Sequence, residues 1–208
     1  MGISFIKNPS ENSTLGIWHI TESAEELFKK VVLSSTDSEI LKTKRNDSRK
    51  KEWLACRNLA KALLQEDFAI QYDRNGKPFL ESNSHQISMS HSGDYACVYL
   101  DKLNPVGVDI QKLKVSVKAG SAYFVNESEM EWVNCDNNKI LHIIWSAKET
   151  VFKYFGNNDL DMKKDITVNP FKSNENGIIE VNNSNHLPIK TILVYYQFFD
   201  GYVLTYTI

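Results

Sequence analysis

The 208-residue sequence predicts an α+β protein made of two similar lobes. Three observations carry this expectation. Apolar residues recur at helical spacing in two stretches, one through Trp53, Leu54, Leu59, Ala60, Leu63 and Leu64, the other through Ile144, Ala147, Val151, Phe152 and Phe155. Each stretch is followed by strand-like runs around a turn signal, Ser92-Gly93-Asp94 in the first case and Asp200-Gly201 in the second. No low-complexity tract or long flexible linker intervenes, so lobes spanning 1–103 and 104–208 are expected to pack as one body.

The elements follow in chain order. Gly16 to Ile20 (GIWHI) reads as a short strand, and Thr21 as the cap of a helix from Ala24 to Leu33. The next helix is basic at first and apolar later. "DRNGKPFL" ends it, because Asn75-Gly76 signals a turn and Pro78 forbids helix. In "HQISMSHSGDYACVYL", Ile87 and Met89 alternate with serines as in a half-buried strand, and Tyr95 to Leu100 is the return strand. "VGVDIQ" follows Asn104-Pro105 as a short strand with Asp109 near its end. Helices are expected over roughly 115–155, with a break at "NCDNN", and the chain closes on a hairpin about Asp200-Gly201.

Composition narrows the function. A formal charge of -2 sets up no global field toward nucleic acid. Charge is uneven, however: from Lys42 to Arg57, seven basic residues face only Asp47 and Glu52. That patch suits phosphate or an acidic partner, and equally an ordinary solvated helix face. Cys56, Cys97 and Cys135 stand far apart without metal-ligand spacing, as expected of reduced thiols in a cytoplasmic protein. The N-terminus lacks the apolar run of a signal peptide, and no stretch of about 18 apolar residues suggests a membrane span.

The segment "WSAKETVFKYFG" concentrates the chemistry. On a helix, Glu149 and Lys153 lie one turn apart, opposite the apolar arc. Glu before Lys at i,i+4 is worth about 0.2–0.5 kcal/mol and by itself reads as a surface salt bridge. Lys148 falls inside the apolar arc, so it must reach out along its stem or meet an anion. Asp109 reads as an exposed strand-end carboxylate. Its spacing leaves two readings open, a turn cap or one half of an oxygen site with Glu149 of the kind Mg²⁺ prefers. Gln111, on the same side of that strand, adds a neutral oxygen. Ser90, His91 and Ser92 offer clustered donors beside a hairpin turn, with Lys77 and Pro78 upstream.

The ordered blocks "GKPFL", "ISMSHSGDYACV", "VGVDIQ" and "WSAKETVFKYFG" resemble the 4'-phosphopantetheinyl transferases, in particular the surfactin-synthetase-activating type with two fused halves. The resemblance implies two α+β lobes in a pseudo-twofold arrangement with the active site in the cleft between them. It implies transfer of the phosphopantetheine arm of coenzyme A to a serine of an acyl or peptidyl carrier protein, with release of adenosine 3',5'-bisphosphate. By the same resemblance Asp109 and Glu149 hold Mg²⁺, and Lys153 contacts the phosphates. Lys77 and Pro78 form the adenine-side wall, and Ser90 and His91 contact the nucleotide. Arg57, with Lys42 and Arg45 upstream, meets the 3'-phosphate. Many such proteins carry glutamate where this chain has Gln111, which removes one negative charge from the metal side. Tyr123 and Phe124 are either carrier contacts or core side chains. A single chain supplying both halves is expected to act as a monomer. The competing expectations are a coenzyme A-binding module without catalysis, which Gln111 favours, and a Mg²⁺-dependent phosphohydrolase, which paired carboxylates alone would allow.

Overall fold

A computed structural model describes residues 2–66, 68–185 and 188–208. The chain divides into two compact units, Met1–Val106 and Gly107–Ile208.

In the first unit, strands β1 (Ile3–Lys7) and β2 (Ser13–His19) precede helices α1 (Ala24–Lys30), α2 (Ser35–Thr43) and α3 (Asp47–Leu64). A small hairpin, β3 (Ile70–Tyr72) and β4 (Pro78–Leu80), turns at Gly76 with φ +79°, so the expected Asn75-Gly76 turn joins two strands. Strands β5 (Gln86–Ser92) and β6 (Tyr95–Asp101) complete an antiparallel sheet in the order β1-β2-β6-β5. The helix expected to be capped by Thr21 is capped instead by Ser23. Its hydroxyl accepts from the Glu26 N–H while the Glu26 carboxylate accepts from the Ser23 N–H, and this reciprocal pair outcompetes a single threonine hydroxyl. The helix stops at Lys30, short of the expected Leu33. Along α3, Trp53, Leu54, Leu59 and Ala60 are buried against Ile87, Val98 and Leu100 of the sheet, as their spacing requires.

The second unit begins with β7 (Val108–Lys112). The short helix α4 (Val117–Gly120) follows, then a 3₁₀ turn at Ser121–Tyr123 and α5 (Glu127–Met130). Next comes the 18-residue helix α6 (Asn138–Phe155), capped by the Asn137 side chain. Strands β8 (Ile166–Val168), β9 (Asn176–Asn183), β10 (Lys190–Phe199) and β11 (Tyr202–Thr207) close a five-stranded antiparallel sheet in the order β7-β11-β10-β9-β8. Asp200 and Gly201 at the β10–β11 turn both have positive φ, 47° and 75°, as a tight two-residue hairpin demands. Ile143, Ile144, Ala147 and Val151 of α6 are fully buried in a core with Val181, Val194 and Val203, while Phe152 and Phe155 are half-buried at its edge.

The two units are built alike in one respect. In each, an 18-residue helix precedes a hairpin whose last strand pairs with a strand from the start of the unit, β6 with β2 and β11 with β7. Strands β8 and β9 were not legible in the sequence. Asparagine and glycine are poor strand formers, and "NGIIEVNN" is a strand because β10 pairs with all eight of its residues.

Gly107 sets how closely β7 approaches α6. A Cβ there would lie 2.0 Å from the carbonyl oxygen of Thr150 and 3.1 Å from Tyr154 Cβ. The near contact is helix backbone, which no rotamer change relieves. Gly107→Ala is therefore expected to lower stability by about 1–3 kcal/mol, read as a drop in urea midpoint at unchanged slope. A midpoint equal to the wild type would mean that β7 and α6 can part freely.

Candidate active site in the second unit

Asp109 is the second residue of β7 and only 1% exposed, which corrects the expectation of an exposed strand-end carboxylate. The reason is the polar face that α6 turns toward β7. Ser146 Oγ donates to Asp109 Oδ2 at 2.8 Å, and Lys153 Nζ donates to Oδ1 at 2.7 Å and to the Val108 carbonyl at 3.2 Å. Ser146 also meets the hydroxyl of Thr205, the residue opposite Asp109 on β11, at 2.9 Å, and Thr205 meets Thr150 at 2.6 Å. Ser146, Glu149, Thr150 and Lys153 thus form an i, i+3, i+4, i+7 stripe along α6. Ser146, Thr150 and Thr205 were absent from the sequence-based set. The spacing of the first two was the available signal, masked because short hydroxyl side chains fit a buried helix face without comment.

The expected Glu149–Lys153 pair does not form. Lys153 turns inward to the buried Asp109, where low dielectric strengthens the attraction. Glu149 is half-buried, and among the described residues no hydrogen bond or ion pair reaches its carboxylate. Burial pushes its proton affinity up, the negative charge of Asp109 pushes it further, and Lys153 pulls it back. The charge of Asp109, 40 residues away in sequence, therefore reaches Glu149.

Of the two outcomes open to Lys148, the structure shows the anionic partner. It is fully buried, 2.8 Å from the fully buried Glu129, and donates to the Phe124 carbonyl at 2.7 Å. Burial lowers its proton affinity and Glu129 offsets that. Glu129 also accepts from the N–H groups of Asn126 and Val168 at 2.9 and 2.8 Å.

Gln111 is half-buried, on the same face of β7 as Asp109. It lines a cavity of about 280 Å³ together with Val117, Tyr123, Phe124, His142 and Trp145. Phe124 is 3% exposed and meets Trp145 edge-on at 5.2 Å between ring centres, so it is a core side chain, whereas Tyr123 is 82% exposed. His142 is buried, which lowers its proton affinity. Its Nε2 accepts from the Lys114 N–H at 3.1 Å, and its Nδ1 lies 2.9 Å from the Asn138 carbonyl.

The remaining expected residues lie in the first unit. Arg57 is 1% exposed. Its Nε and Nη2 donate to Asp37 Oδ1 at 3.2 and 2.9 Å, Nη2 also reaches the Tyr72 hydroxyl at 2.7 Å, and the guanidinium stacks 3.5 Å from the Trp53 ring. The structure gives Arg57 a buried carboxylate where a phosphate was expected, and this tie holds α2 against α3. Lys42 and Arg45 are exposed, Lys42 in a solvent-facing pair with Glu39 at 2.7 Å. Ser90 is buried, and His91 Nδ1 lies 3.1 Å from Oε2 of the buried Glu52, whose other oxygen accepts from the Gly93 N–H at 3.1 Å. Lys77 and Pro78 are half-buried on the β3–β4 hairpin, and burial lowers the proton affinity of Lys77 against the pull of Asp73.

Among the described residues no three His, Cys, Asp or Glu side chains gather as a metal cluster, and the carboxylates expected to face a metal are two, Asp109 and Glu149. Two carboxylates with no cationic partner at Glu149 fit Mg²⁺, which binds through one or two carboxylates and keeps its other positions for water and phosphate. The second unit is thus an α+β body whose longest helix and first strand together present two carboxylates and a lysine. Residues 105–207 match the family model of the 4'-phosphopantetheinyl transferase superfamily. That span holds Asp109, Gln111, Glu149 and Lys153, and the match supports transfer of phosphopantetheine to carrier proteins as the general activity. A search of curated proteins finds no match.

Proposed function

We propose that this protein is a holo-[acyl-carrier-protein] synthase of the two-halves type. It would move the 4'-phosphopantetheine arm of coenzyme A to a serine of an acyl or peptidyl carrier protein, in a Mg²⁺-dependent reaction that releases adenosine 3',5'-bisphosphate. The observation that carries this reading is the buried Asp109 carboxylate, held by Ser146 and Lys153 of the same α6 stripe that presents Glu149, inside the span that matches the family model.

Asp109 and Glu149 would hold the ion, which when bound neutralises charge on the pyrophosphate. Ser146 and Lys153 fix the Asp109 carboxylate in one orientation from two sides. The carrier serine hydroxyl attacks the pantetheine-side phosphorus, and the bond from that phosphorus to the bridging oxygen breaks. Glu149, whose proton affinity is raised, takes the hydroxyl proton. Lys153 offsets negative charge on the departing bisphosphate. In the first unit, Lys42 and Arg45 supply exposed cations for the 3'-phosphate, and Arg57 keeps their segment in place through Asp37. Lys77, Pro78, Ser90 and His91 complete the nucleotide contacts.

The protein is proposed to work in the cytoplasm as a monomer. Its three cysteines are free thiols, and among the described residues no helix is long and apolar enough to cross a membrane. A coenzyme A-binding module is the second reading, favoured by the neutral Gln111 beside the acid pair.

The deciding experiment incubates the protein with coenzyme A, Mg²⁺ and apo carriers of the acyl and peptidyl kinds, followed by intact-mass measurement. A carrier heavier by one phosphopantetheine arm is the expected result. Coenzyme A binding with every carrier unchanged would leave the binding module. Cleavage of coenzyme A without any carrier would indicate a hydrolase.

A further inference from the structure

Resting on the proposed function, we infer that Gln111 is a substrate-binding residue that reads an amide of the pantetheine chain, and is not a ligand of the metal. Gln111 forms a wall of the cavity of about 280 Å³ that Tyr123, Phe124, Val117 and Trp145 also line. Neither Asp109 nor Glu149 lines that cavity, although Gln111 follows Asp109 by two residues and Trp145 precedes Glu149 by one helical turn. The cavity is thus lined by the strand and helix that also carry the acid pair, and excludes that pair itself. Among the described residues the Gln111 side chain makes no hydrogen bond, so its amide keeps a donor and an acceptor for a ligand.

The chemistry of the walls selects the occupant. Aromatic and aliphatic sides carry the Gln111 amide, the Ser116 hydroxyl and His142, with the cations of Lys112 and Lys114 beside them, which suits an amide-bearing chain attached to an anionic phosphate, and the pantetheine arm of coenzyme A is such a chain. A glutamate at this position would add a third negative charge beside Asp109 and Glu149, leaving a carboxylate that accepts but cannot donate. A glutamine pairs with both the N–H and the C=O of an amide.

The test compares wild type with Gln111→Met, which keeps length and removes hydrogen bonding, by calorimetric titration with three probes. These are coenzyme A, adenosine 3',5'-bisphosphate (which lacks pantetheine) and Mg²⁺ alone. Gln111→Met is expected to weaken coenzyme A binding about two- to tenfold, the worth of one neutral hydrogen bond, with the other two affinities unchanged. Weaker Mg²⁺ binding with an unaltered preference for coenzyme A over the bisphosphate would make Gln111 a metal ligand and overturn the inference. Equal affinities throughout would overturn it too. Failure of the wild type to bind coenzyme A at all would instead remove the underlying function.

Discussion

Glu149→Gln is expected to lose carrier modification by about 10²–10⁴-fold, the usual worth of a general base, while making the metal-free protein more resistant to urea at neutral pH. The two effects share one cause. In the folded state burial and the charge of Asp109 hold the Glu149 carboxyl above the ordinary 4.5 that it has when unfolded. Between those two values the native state binds the proton and the unfolded state has released it. Stability therefore falls as pH rises through that window, and it stays lowered above the window. Glutamine cannot ionise, so the variant escapes the cost at pH 7. Below pH 4 both proteins are neutral at this position and their urea midpoints should converge. Urea titrations in the presence of a chelator, at pH 7 and below pH 4, together with the carrier assay at saturating Mg²⁺, check both halves. A variant that is fully active, or less stable than wild type at pH 7, would remove Glu149 from the role assigned to it.

The second large effect lies on the other side of the same helix. Lys148→Met should destabilise the protein by about 3–5 kcal/mol, because it leaves the carboxylate of Glu129 buried without its cation. Both side chains are fully buried, so solvent does not screen the loss. Glu129 keeps its hydrogen bonds from Asn126 and Val168, which does not neutralise its charge. Adding Glu129→Gln removes that charge and should recover part of the loss. Urea unfolding of the single and double variants gives the coupling directly. A single variant within about 1 kcal/mol of wild type would show the pair to be incidental to stability.

Particular elements show why some features were legible in the sequence and others were not. The long helices α3 and α6 were, because their apolar residues repeat at 3.6 and their cores bury those residues. The β10–β11 turn was, because Asp-Gly tolerates two positive φ angles in a row. The Thr21 cap was misplaced, since Ser23 satisfies two N-terminal groups together with Glu26. Asp109, Glu149 and Lys153 were picked out as residue types in motif order, but their partners were not. Sequence spacing showed a Glu–Lys pair one turn apart, and the structure pairs that lysine with an aspartate 44 residues away.

Local spacing by itself determined which residues form α6 and which of its faces is apolar, because helix geometry is the same wherever the helix lies. It also left Lys148 two outcomes, reaching out along its stem or meeting an anion, since an ammonium within an apolar arc has few alternatives. Only the tertiary structure decided that Asp109 is buried, that Lys153 pairs with it, and that Glu149, among the described residues, has no ion pair of its own beside another negative charge. Those outcomes depend on how closely β7 meets α6 at Gly107. Electrostatic partnership is set by distance through space and local dielectric, neither of which the order of residues records.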